Sequence, residues 1–135
     1  MDEPRIVAAI GEAEKRTSGE IRVFISSQET VHALKDAQTQ FLRLGMQKTR
    51  ERNGVLLFVA PRSRAFAVVG DEAVHARCGD GLWQEVAAAM EGHFKANRFT
   101  DALLLAVERL GGLLARHFPR RADDENELRD ELERG

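Results

Sequence analysis

Two apolar runs stand close together near the middle of the chain. Val55 to Ala60 is unbroken, and Phe66 to Val69 follows after the polar connector Pro61-Arg62-Ser63-Arg64. Runs this short, rich in Val and Phe and bounded by turn residues, predict strands rather than helices. So short a link suits an antiparallel hairpin. Neither run alternates polar with apolar residues. Both strands are therefore expected to be covered on both faces, as in the middle of a sheet clad with helices.

On either side of the hairpin the apolar period lengthens. Ile6, Val7, Ile10 and Ala13 mark one face of a helix over Glu3 to Arg16, with Asp2 as its cap, Pro4 tolerated in the first turn and Gly19 closing it. Glu20 to Ser27 reads as a strand. Ile21, Val23 and Ile25 lie on one face and Arg22, Phe24 and Ser26 on the other, so it is expected to be less buried than the hairpin. A long helix is predicted from Val31 to about Glu51 behind a Thr30 cap, striped by Leu34, Ala37, Phe41 and Leu44. Gly45 marks either an early end or a close contact. Strand, helix and strand make a parallel, right-handed βαβ unit, to which Ala65 to Gly70 adds antiparallel. Asp71 to Gly81 reads as a polar loop with a helical turn at Ala73 to Ala76. Two more helices follow, Trp83 to Lys95 and Thr100 to Phe118, the latter with Phe99 as staple, Thr100 as cap and Pro119 as stop. The predicted fold class is α/β: a single compact domain with a central mixed sheet, a parallel βαβ unit plus an antiparallel hairpin, and helices packed on it.

Composition narrows the class. At 135 residues and 43% hydrophobic, the chain can bury one ordinary core. The net charge of -2, with both signs mixed, gives no electrostatic footprint for nucleic acid. From Arg120 to Gly135 there are seven acidic residues and four arginines. That segment is read as an acidic, flexible tail, 120–135, after a domain over 1–119. One cysteine, Cys78, forbids an internal disulfide and fits a reducing compartment. The opening Met1-Asp2-Glu3-Pro4 has neither the basic nor the apolar region of a signal peptide, and no run reaches the length of a membrane span. A cytoplasmic location without a membrane span is expected.

Topology gathers one set of polar residues. If the strands from Glu20 and Val55 run parallel, their starts share one end of the sheet, and the antiparallel third strand finishes there. Glu20, Asn53, Asp71 and Glu72 should converge at that end. Three carboxylates and an amide suit a hard cation such as Ca2+. Arg50 and Arg52, at the same end, offer the other solution, simple ion pairing. Asp80 is either a further ligand or the N-cap of the third helix. The run Gly70-Asp71 to Gly79-Asp80-Gly81 lacks the spacing of a calcium loop. His75 and Cys78 are three apart with no second pair to complete a zinc set. No Gly-x-Ser-x-Gly elbow, Gly-rich phosphate loop or Cys-x5-Arg is present, so no catalytic residue is named. Arg43, Lys48, Arg50 and Arg52 form a basic run suited to the C-terminal end of a helix or to an acidic partner.

The ordered set of segments resembles the TPM domain family. The residues that carry the resemblance are Thr17-Ser18-Gly19-Glu20-Ile21-Arg22-Val23, Arg52-Asn53-Gly54-Val55-Leu56-Leu57-Phe58-Val59-Ala60 and the connector Pro61 to Arg64 into Val69-Gly70-Asp71. Met90 to Phe94 and Phe99-Thr100-Asp101-Ala102-Leu103 complete the set. The resemblance implies a compact α/β fold. It implies relatives among thylakoid-lumen proteins of photosystem repair and acetylcholine-receptor auxiliary proteins, some described as calcium-binding or as acid phosphatases. The chain departs from many of them. It starts at the first helix, without an acidic, aspartate-bearing segment before it, and Gly70-Asp71-Glu72 stands in place of a Gly-aromatic-Gly turn. The expected function is a non-enzymatic interaction or regulatory module with a protein partner, assisted by Ca2+ at Glu20, Asn53, Asp71, Glu72 and Asp80. The alternative is a metal-dependent, acid-phosphatase-like hydrolase.

Overall fold

The structure, a computed structural model, describes residues 1–79, 81–120 and 132–134. In chain order the elements are α1 (Glu3–Glu14), β1 (Glu20–Ile25), α2 (Ala33–Arg43), β2 (Gly54–Ala60), β3 (Ala65–Gly70), α3 (Glu72–Cys78), α4 (Gly81–Lys95), α5 (Phe99–His117) and β4 (Leu132–Arg134). Four strands form one sheet in the order β3-β2-β1-β4. β1 and β2 are parallel and β2 and β3 antiparallel, as the βαβ-plus-hairpin reading requires. Among the described residues no helix is long and apolar enough to cross a membrane.

The sheet separates two cores. Ile21, Val23 and Ile25 of β1, with Val55, Leu57 and Val59 of β2, point to the side covered by α1, α4 and α5, where Ile6, Ile10, Met90, Phe94, Leu103, Leu110 and Leu114 complete the larger core. The alternate residues Phe24, Leu56, Phe58, Ala60 and Ala67 meet Ala37 and Phe41 of α2, with Met46 beside them. Period-2 alternation thus feeds both layers from every strand. Phe24 and Phe58 stack with centroids 5.6 Å apart, which ties β1 to β2 on the α2 side.

Several expectations change on the structure, each for a physical reason. β1 is buried at all six positions, whereas β3 is mostly half-buried. The polar and apolar pattern along the chain predicts the reverse order. Lateral position decides this: β1 lies inside the sheet between β2 and β4, and β3 forms its edge. The helix expected to reach Glu51 stops at Arg43, because Gly45 takes a left-handed φ of 72°; a short 3-10 turn, Met46–Lys48, follows. Leu34, expected on the apolar stripe, lies in the first turn of α2 and is 56% exposed. Neither expected threonine caps a helix. Thr30 donates its hydroxyl to Asp36 and accepts from the His32 amide, while α2 begins after His32 without a side-chain cap. Thr100 lies one residue inside α5 and accepts from the Asp2 amide at 2.9 Å, tying the start of the chain to this helix. The segment read as a loop with one helical turn is a full helix, α3.

The outer edge of β1 is attended by two devices. Ser26 donates to the Val59 carbonyl, so the even-numbered residues of β1 bond to β2 and the odd-numbered ones face outward. The Ile21 amide donates to Glu14 Oε2 at 2.8 Å, and Glu14 is buried at the end of α1. Beyond it, Val23 to Ile25 pair in parallel with Leu132 to Arg134. Leu132 packs against the larger core. The sequence reading did not foresee this strand, since a lone leucine among charges carries no period. The rest of the segment that it read as a flexible tail, 121–131 and 135, lies outside the described residues.

Two stability outcomes follow. Phe58 is 2% exposed and stacked on Phe24. Phe58→Ala is expected to cost about 3–5 kcal/mol in urea melts through the cavity it leaves. Truncation after Arg120 removes β4 and uncovers the amides of β1; it should lower the melting temperature by several degrees. An unchanged melting temperature would mean that the β4 pairing contributes no stability.

Candidate functional site

The polar end of the sheet is built where two parallel strands begin and the third ends. Glu20 pairs in register with Gly54, and Val55 with Gly70. Glu20, Asn53 and Asp71 therefore come to the same end, with Glu72 one residue beyond, as the topology argument requires. The Glu20 amide donates to the Asn53 carbonyl at 3.4 Å, and the Asp71 amide to the Gly54 carbonyl at 2.9 Å. These backbone bonds fasten the three strand ends to one another.

Arg52 organises the charges there. It sits in the left-handed region with φ 53°, an uncommon place for a residue with a side chain. From there its guanidinium forks onto Asp71: Nε to Oδ2 at 2.7 Å and Nη2 to Oδ1 at 2.8 Å. Its Nη1 lies 3.6 Å from Glu72 Oε1. The hydrogen bond to Asp71 is the main reason the Arg52 pKa is held above its ordinary value. Asp71 also caps α3, accepting from the Glu72 amide at 2.8 Å, and the Arg52 carbonyl accepts from the Ala73 amide at 3.1 Å. One residue pair thus closes the hairpin's return and starts the next helix.

The remaining predicted members behave differently. Asn53 is buried, its amide nitrogen donating to Ser18 Oγ at 3.3 Å and Glu51 Oε2 at 3.2 Å. Glu20 is buried at 4% exposure, while the Glu72 side chain is 70% exposed. Asp80 lies outside the described residues. Among the described residues no three His, Cys, Asp or Glu side chains gather as a metal site would need. Both Asp71 oxygens already accept from Arg52, so the set as it stands does not fit Ca2+, which takes six to eight oxygens. Of the basic run, Arg43 lies over the Phe24 ring at 5.8 Å rather than at this end.

His75 and Cys78 also resolve into structure. His75 Nδ1 accepts from Trp83 Nε1 at 3.3 Å, with the rings edge-to-face. Burial pushes the Cys78 thiol up, partly offset by Arg77. The same corner explains Gly70. A Cβ there would lie 2.3 Å from the Trp83 ring, so only glycine admits the indole against the end of β3. The sequence reading passed over Glu14, Ser18 and Glu51 in this region. Glu14 carried a usable signal, an acid directly after Ala13 and one turn beyond Ile10 on the buried face of α1.

The charged fork yields a direct test. Asp71→Ala removes a helix cap and the partner of Arg52, and should cost about 1 kcal/mol or more in urea melts from the cap alone. In a double-mutant cycle, adding Arg52→Ala to Asp71→Ala should cost less than Arg52→Ala costs alone. Strict additivity would show that the fork contributes nothing.

Comparison with known proteins gives consistent results. A family model described as the TPM domain matches residues 1–113. The NMR structure of the BA42 protein from the psychrophilic bacterium Bizionia argentinensis is 35% identical. It covers 98% of this chain and 92% of its own, with a TM-score of 0.91. The solution structure of the N-terminal domain of a P. gingivalis protein covers 87% of this chain and 78% of its own, at 17% identity and a TM-score of 0.67, which is a likeness of fold. No curated protein matches.

Proposed function

This chain belongs to the TPM domain family, and we propose that it works as a non-enzymatic module that binds a protein partner. The observation that carries this reading is the Arg52–Asp71 fork. The carboxylate best placed for chemistry has both oxygens engaged by a guanidinium and by the first amide of α3. A hydrolase would need that carboxylate, or a metal held by it, turned to substrate. Any divalent cation that joins the module at the Glu20–Asp71 end has to displace Arg52 first. Its assistance would therefore be conditional on partner or cation concentration. The outer face of α2 supplies surface for a protein contact: Leu34 is 56% exposed and Leu42 61%, two turns apart on one side of the helix, with Val31 just before it at 91%.

The phosphatase alternative makes the opposite demand of the same residues. The purified protein is expected to show no turnover of an aryl phosphate above background, with Ca2+ or Mg2+ present. Turnover that survives repurification and disappears in Asp71→Asn would overturn the binding-module reading. Calcium titration followed by amide NMR separates the two further. Shifts confined to Asp71, Glu72 and Asn53 that grow in Arg52→Ala would confirm competition between cation and guanidinium, and their absence in both proteins would remove the cation.

A further inference from the structure

β4 is the least apolar strand of the sheet. It runs only from Leu132 to Arg134 and pairs in parallel with Val23, Phe24 and Ile25. The strand it covers is buried along its whole length. Val23 and Ile25 turn their N–H and C=O groups toward β4, since the even-numbered residues of β1 bond to β2. Buried backbone groups without partners are costly, so this edge has to be occupied. What occupies it is three residues long.

The face of each β4 position follows from the register. Leu132 lies opposite Val23, and Arg134 opposite Ile25. Val23 and Ile25 both belong to the larger core, and Leu132 packs against it. Positions two apart in a strand share a face, so position 134 lies on that side as well. β4 therefore brings two positions to the core side and gives one of them an apolar residue. The other holds arginine, a residue type rarely buried. Toward the start of β1 the edge is closed by other means, the Ile21 amide donating to Glu14 Oε2 at 2.8 Å. The exchangeable stretch is thus confined to Val23 through Ile25.

We propose that β4 is a detachable strap over this edge, and that the edge accepts in its place an extended strand of the protein partner with apolar residues at both core-side positions. The seated strand defines the chemistry. It runs parallel to β1 and sets one apolar residue opposite Val23. An apolar residue opposite Ile25 is what the partner supplies and the chain's own strand lacks. Ladder hydrogen bonds are the same for either strand and do not discriminate between them. The extra apolar burial does, and it offsets the advantage that β4 has in belonging to the same chain. Opening is local, because β1 stays paired with β2 along all six residues when β4 leaves. This strand site rests on the protein-binding reading above and adds an edge to the face of α2.

The test uses the full chain. Native-state amide exchange should show Val23 and Ile25 exchanging at least about tenfold faster than Phe24, whose amide faces β2. The probe is a soluble peptide with valine at alternate positions and threonine between them; its control carries serine for valine. In an NMR titration the valine peptide should slow exchange at Val23 and Ile25 and shift the Leu132 methyls toward those of an unpacked leucine. The serine peptide should do neither. Leu132→Ser should speed that exchange and tighten peptide binding on the order of tenfold, and Arg134→Val should do the reverse. Unchanged protection of Phe24 checks that each variant is folded. Exchange of Val23 and Ile25 only through global unfolding overturns the strap. Opening without a response to the valine peptide, or with an equal response to the serine peptide, overturns the strand site. A mass above 15.1 kDa in sedimentation, with the edge protected, would seat a second copy there and overturns it too. Each of these outcomes leaves the module reading standing, whereas turnover of an aryl phosphate would sink that reading and leave the strap.

Discussion

Seven consecutive buried residues, Gly54 to Ala60, leave the backbone of β2 nowhere to bond but sideways. Water reaches neither face, so every N–H and C=O must find a partner in the plane of the sheet. That requirement calls for a strand on each flank, and β1 and β3 meet it along its length. It also calls for cover above and below, because the side chains alternate to both faces and nearly all are apolar. α1, α4 and α5 answer on one face and α2 on the other. The position of each helix is in this sense a consequence of one strand that has no polar side.

The same requirement then passes outward to the neighbours. β1 is also buried throughout, so its outer amides need partners, and the chain finds them in unlike places. A carboxylate from the end of α1 serves Ile21, and three residues of the C-terminal segment serve Val23 to Ile25. Arg120 adds a bond to the Glu14 carbonyl at 2.9 Å, joining the end of α1 to the start of that segment. β3 is less buried, with Phe66 and Val68 only half-buried, so that part of its edge stays open with a smaller penalty.

How much of this was legible in the sequence depended on the range of the cause. The hairpin, the parallel pair and the convergence of Glu20, Asn53 and Asp71 were legible because period, turn chemistry and chain order fix them locally. The relative burial of β1 and β3 was not, because it depends on which strand ends up at the edge. That was settled by β4, whose single apolar residue, Leu132, gives no pattern. The caps at Thr30 and Thr100 failed for a similar reason: each hydroxyl found a partner, Asp36 in one case and the Asp2 amide in the other, that sequence spacing does not weigh. Gly45 was noticed, but only its left-handed φ decided that it ended α2.

The polar end of the sheet shows why counting carboxylates points so readily to a metal. Two of the buried acids, Glu14 and Asp71, accept hydrogen bonds from backbone amides, those of Ile21 and Glu72. Each amide stands where a regular ladder has not begun or has just ended. Strand starts and helix starts are also where topology collects residues from distant parts of the chain. An acid placed there to satisfy an amide therefore has other acids for neighbours, whether or not a cation is wanted. What separates the two cases is the remaining charge. At Asp71 it is met by Arg52, held in an uncommon backbone conformation that aims the guanidinium at both oxygens at once. A cation would have offered the same neutralisation without constraining φ at position 52 or tying that loop to the first turn of α3.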